Sequence, residues 1–191
     1  MATTATPTGA EPVDTLSASG SFSGKVRHIK IASNYGTAVF YGDFVKLVAA
    51  GTVEKAAVTT AVVAGTVGIF MGCSFTDPTT NQMTFSQHYP ASTVASDIMA
   101  YVCDDPKLLF RMQGDEAIAQ TGLGNNISAV STAGSTSIGR SKNALDGGSI
   151  ATTNSLPLRV VDFVDGPTSA VGDAFTDCIV TYLPLSHAYE T

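Results

Sequence analysis

The sequence contains no tryptophan, and charged residues fill only 14% of its 191 positions. Ordinary soluble domains carry roughly 25% charged residues. Without tryptophan, a sugar-binding cleft lacks the largest aromatic stacking surface. Lysine and arginine total ten against a formal net charge of −6. A broad phosphate-binding face needs clustered basic groups to release counterions, so no nucleic-acid partner is expected. No apolar run approaches the length of a membrane span, so no membrane partner is expected either. The opening "MATTATPTGAEPVDT" has neither a basic start nor an apolar centre, and is not expected to be a secretory signal. The three cysteines, Cys73, Cys103 and Cys178, are odd in number and far apart. A zinc site wants a C-x-x-C pair or similar spacing. Free, buried thiols in a reducing compartment are the expectation. No stretch of 11 or more residues holds a helical period.

Serine and threonine are abundant, 42 in all, and hydrophobic residues reach 44%. A surface of hydroxyls in place of charges suits a protein packed in an assembly. Burying a hydroxyl at an interface costs far less than burying a charge. The length fits one sizeable domain with its own core.

Residues 1–24 are mainly Thr, Ser, Ala, Gly and Pro. They cannot bury enough apolar surface to fold alone. They read as an extended N-terminal arm with three larger anchors, Val13, Leu16 and Phe22. These are the candidate interface residues, expected to lie on a neighbouring subunit. Residues 25–191 read as a single β-rich domain that folds without the arm. "KVRHIKIA" alternates, with Val26, His28 and Lys30 on one side and Arg27, Ile29 and Ile31 on the other. "TAVFYGDFVKLV" places β-rich runs either side of a tight turn or bulge at Tyr41-Gly42-Asp43. "GIFMGCSF", the loop "TDPTTNQ" and "MTFSQHYP" predict a hairpin, its turn started by Asp77-Pro78. "SDIMAYVC" and "KLLFRMQG" predict strands around "DDP". A competing helix capped at Asp105 has room for only two turns before Gly114. The Gly- and Ser-rich residues 121–155 are too long for one structureless loop and should hold one or two short strands. "LPLRVVDFV" and "DAFTDCIVTYLPL" close the domain. The fold class expected is all-β, a β-barrel or β-sandwich of many short strands.

Catalytic constellations are weakly represented. In a hairpin centred near Thr79, Cys73 would face a residue near Phe85. His88 would fall one or two pairs further along, adjacent but not aimed. Carboxylates cluster at Asp104, Asp105, Asp115 and Glu116, and again at Asp162, Asp165, Asp173 and Asp177. Their spacing fits neither a calcium loop nor a defined acid pair. "GLGN" and "GSTSIGRS" match neither a phosphate loop nor a dinucleotide fingerprint. No catalytic, cofactor or metal residue is assigned, and no enzyme activity is expected.

Five segments in order carry a family resemblance: "GTVGIFMGCSFTDPTTNQMTFSQHYPAS", "DIMAYVCDDPKLLFRMQ", "GSTSIGRSKNALD", "LPLRVVDFVD" and "GDAFTDCIVTYLPLSH". Together they resemble virion structural proteins of tailed bacteriophages, especially marine T7-like podoviruses, over roughly residues 65–190. The resemblance implies a capsid decoration or cement protein on the outer surface of the head, made in the host cytoplasm. It implies the major capsid protein and further copies of the same chain as partners, a trimer favoured over a dimer. A tail or fibre-base component is the alternative, and a polysaccharide-binding or hydrolytic virion protein a weaker one.

Overall fold

The period-two alternation of short β-rich runs is realised almost throughout. The computed structural model describes residues 3–16, 24–59 and 65–189. Strands β1 (Glu11–Thr15), β2 (Arg27–Lys30), β3 (Val39–Phe40), β4 (Phe44–Leu47) and β5 (Val53–Lys55) come first. The long β6 (Thr66–Thr76) is followed by β7 (Met83–Ser86), β8 (His88–Tyr89), β9 (Met99–Cys103) and β10 (Leu108–Gln113). Strands β11 (Asn126–Val130), β12 (Ala144–Ala151), β13 (Leu158–Phe163) and β14 (Asp177–Tyr182) complete the order. The helical pieces among the described residues are two three-residue 3-10 turns, Gln120–Gly122 and Pro184–Ser186. The chain is all-β. The helix alternative after Asp105 is displaced by β10, whose alternating Leu108, Phe110 and Met112 all point into the core.

Two six-stranded antiparallel sheets result. The first runs β1-β10-β14-β13-β11-β12. It curls toward closure, because Gly114, just past β10, bridges Leu145 of β12, and the Asp115 N–H donates to the Leu145 carbonyl at 2.8 Å. The second runs β2-β9-β6-β4-β5, with β7 also on β6. Strands β3 and β8 pair separately. The sheets share a core in which Phe44 and Ile69 meet Phe110, Leu158 and Val180. Phe44, Phe110 and Tyr182 touch one another there with ring centroids 5.1–6.1 Å apart. The opposite face of the second sheet is covered too, by a cluster that includes Val45, Phe70, Cys73, Tyr89 and Val102. Strand β6 is therefore buried on both faces. Register shifts beside Thr66 and between Phe70 and Gly72 turn Ile69 into one core while Val67 and Phe70 enter the other.

The N-terminal segment departs from the expected division at residue 24. Residues 11–15 form an edge strand of this chain's own sheet, paired with β10. Ala10 is fully buried, and its N–H donates to the Gly42 carbonyl at 2.9 Å. The outer edge of β10 presents N–H and C=O groups that need partners. A tethered strand of the same chain supplies them. Proline is tolerated at Pro12 because an edge strand needs hydrogen bonds on one side only. Residue 22 lies outside the described residues.

Candidate functional site

The hairpin that brings Cys73 toward His88 is present, one residue out of the expected register. Cys73 pairs with Ser86, and Phe75 with Thr84. The loop is held by Asp77, whose Oδ1 accepts from the N–H groups of Thr79 and Thr80 at 2.7 and 3.0 Å. Those two donors hold the Asp77 carboxyl below its ordinary range. The returning strand breaks at Gln87, and His88 leaves the hairpin to pair with Phe40 on β3. Its imidazole stacks on the Phe40 ring at 5.5 Å and 11°. Cys73 reaches only the backbone carbonyl of His88, at 3.5 Å. Burial pushes that thiol up to about 12, so it stays protonated and a poor nucleophile. Cys103 and Cys178 are also free and buried, their thiols pushed up to about 11 and about 12.

The two acidic groups do not converge. Asp104 pairs with Arg27 at 2.7 Å across β9 and β2, and Asp177 with Arg111 at 2.7 Å across β14 and β10. Asp105 accepts from Lys107 N–H and from the Thr15 hydroxyl, joining the β9–β10 turn to the end of β1. Asp173 accepts from Ala170 N–H within its own turn. Asn126, the asparagine of "NIS", is buried, with its amide committed to the Thr153 carbonyl and to Arg159. Among the described residues no three side chains of metal-binding type come together.

Of the interface candidates, Val13 and Leu16 are both exposed. Val13 is the residue left over where β1 bulges between Pro12 and Asp14. Leu16 borders an open groove of about 440 Å³, lined also by Pro106, Val161, Leu183 and Pro184. Two further features were not singled out from sequence. Met83 and Phe85 stand on the outward face of β7, 60% and 73% exposed, with exposed Val94 near the same hairpin tip. Their two-residue spacing in "MTFS" is the signal that puts them on one face.

The second feature surrounds Asp43, which sequence assigns to a turn. Its side chain is 0% exposed. Oδ2 accepts from the Phe40 N–H at 2.9 Å and meets Lys55 Nζ at 2.8 Å. Oδ1 accepts from the Ser141 hydroxyl at 2.7 Å and from Asn143 Nδ2 at 3.1 Å. The turn at Gly42, with φ of 88°, aims the carboxylate inward, and the Val45–Lys55 pair of β4 and β5 brings up the amine. Ser141 and Asn143 arrive from the other sheet, on the segment leading into β12, whose Ser141 N–H bonds the Tyr41 carbonyl.

No protein-family model matches the chain, and neither curated proteins nor solved structures give a match.

Proposed function

We propose that this chain is a non-enzymatic virion structural protein, a decoration or cement component on the outer surface of a bacteriophage head. It assembles with the major capsid protein and with further copies of itself, a trimer being favoured. The observation that carries the reading is the strip of Met83 and Phe85 on β7. Large apolar side chains on an edge strand cost solubility unless a partner covers them. Val13 and Leu16 at the opposite sheet's edge strand extend the same character. The low charge and plentiful hydroxyls suit surfaces that become buried in a shell. The resemblance of residues 65–190 to phage virion proteins supplies the class of assembly.

The mechanism is thermodynamic. A protein that binds the assembled shell but not free subunits stabilises the shell by mass action. An oligomer that spans several capsomers multiplies weak contacts through effective concentration. Quantitative mass spectrometry of purified virions tests the reading. A copy number of the same order as the major capsid protein supports it. A handful of copies per particle identifies a tail component instead and overturns it.

A further inference from the structure

The centre around Asp43 holds more than an ion pair requires. Its two carboxylate oxygens touch two different nitrogens, the Lys55 amine at 2.8 Å and the Asn143 carboxamide at 3.1 Å. The Asn143 Oδ1 accepts from the Thr132 N–H at 3.0 Å. Ser141 holds the carboxylate from one side and accepts from the Asn143 N–H on the other, at 2.7 and 3.1 Å. Asp43, Ser141 and Asn143 are all fully or almost fully buried. Amine attack on an amide needs a nucleophile that loses protons and a leaving nitrogen that gains one. It also needs a donor on the oxygen that becomes negative. A carboxylate touching both nitrogens, and a backbone N–H on the carbonyl oxygen, meet these needs in one place.

We propose that Lys55 and Asn143 become joined by an intramolecular isopeptide bond, formed by the folded chain itself. Asp43 takes a proton from the Lys55 ammonium and frees its lone pair. Nζ attacks Cγ of Asn143, and the negative charge that develops on Oδ1 is held by the Thr132 N–H. The Cγ–Nδ2 bond then breaks as protons carried through Asp43 reach Nδ2. One ammonium and one carboxamide become one secondary amide and one ammonium ion, and Asp43 returns to its carboxylate. Atoms and charge balance without an oxidant, a reductant or any outside reactant. Burial of the Asp43 carboxylate and of the Asn143 carboxamide strengthens the polar contacts these two groups make. The bond would tie β5 of the second sheet to the segment entering β12 of the first. It would serve as a covalent cross-link in a chain whose three cysteines are unbridged. This inference concerns the fold alone and does not rest on the proposed virion role.

The test is the intact mass of the full-length protein, purified folded and then denatured. The expected mass is lower than the sequence mass by one ammonia, and proteolysis should yield a branched peptide joining Lys55 to Asn143. Lys55→Arg and Asn143→Ala should each restore the full mass. Asp43→Asn should slow bond formation by about 100-fold or more, the usual scale for loss of a proton-transfer group. Full sequence mass in the wild-type protein, with circular dichroism showing it folded, overturns the proposal. Loss of one water with Lys55 joined to Asp43 overturns it equally, because the acyl partner is then a different residue.

Discussion

Cys73 sits in the outer core, while Cys103 and Cys178 sit between the two sheets. All three thiols are raised above their ordinary 9.0, to about 12, 11 and 12, chiefly by burial that disfavours the thiolate. The folded chain therefore holds these protons more tightly than the unfolded chain. Their contribution to stability is complete below pH 9 and is lost as pH rises through the folded values. The melting temperature should fall between pH 9 and 12. A thiol reagent at pH 8 should find no reactive cysteine before unfolding and three per chain after it. Phe110 is a second single-residue case. It is fully buried between Phe44 and Tyr182, so Phe110→Ala leaves a cavity that the rigid β framework cannot close. A loss of about 3–5 kcal/mol is expected in denaturant unfolding. Gly68 shows the reverse constraint. A Cβ there would stand 2.1 Å from the Cys103 carbonyl oxygen, so the glycine permits the close approach of β6 to β9.

Strands β1 and β7 occupy exposed edges and differ in what they contribute. Strand β1 carries its backbone pairing with β10, the buried Ala10 and the contact of Glu11 with Arg140. Deleting residues 2–16 should therefore destabilise the domain itself, lowering the melting temperature on the order of 5 °C or more at about 2–4 °C per kcal/mol. The expectation that the domain is indifferent to its N-terminal segment would predict no change. Strand β7 turns Met83 and Phe85 outward, where both are exposed. Phe85→Lys should leave stability within about 0.5 kcal/mol, as surface substitutions usually do. It should weaken self-association or shell binding, read by sedimentation. Unchanged assembly would remove β7 from the interface. At this scale much was legible. Gly42 and Asp77-Pro78 mark their turns, and residues 121–155 hold β11 and β12 as anticipated. In "MTFSQHYP" the alternation lapses at the polar run Ser86-Gln87-His88, but the course of the chain beyond that break was not legible. It follows from the pairing of His88 and Tyr89 with β3, a partner far upstream.

On the scale of the whole molecule, two sheets share one core and the second sheet is covered on both faces. The outward chemistry of this body is mostly hydroxyl and apolar. Added to shells that lack it, the protein should raise their melting temperature in proportion to the logarithm of its concentration beyond saturation. Raising salt should not abolish the effect, since burial of Met83 and Phe85 is not screened as charge pairs are. A stabilisation that vanishes at high salt would mean that charged groups, not this strip, make the contact.

The sequence by itself determined the β class, the position of most strands and turns, and the unbridged state of the cysteines. These follow from local facts: a period of two, turn residues with preset backbone angles, and thiols too sparse for a framework. Only the tertiary structure decided that β1 completes its own chain's sheet and that β8 deserts its hairpin. It alone brought Lys55 and Asn143 to one buried carboxylate. Strand pairing is selected by shared burial and by open backbone edges between segments distant in the chain. Alternation states which face of a strand is apolar and not which partner covers it.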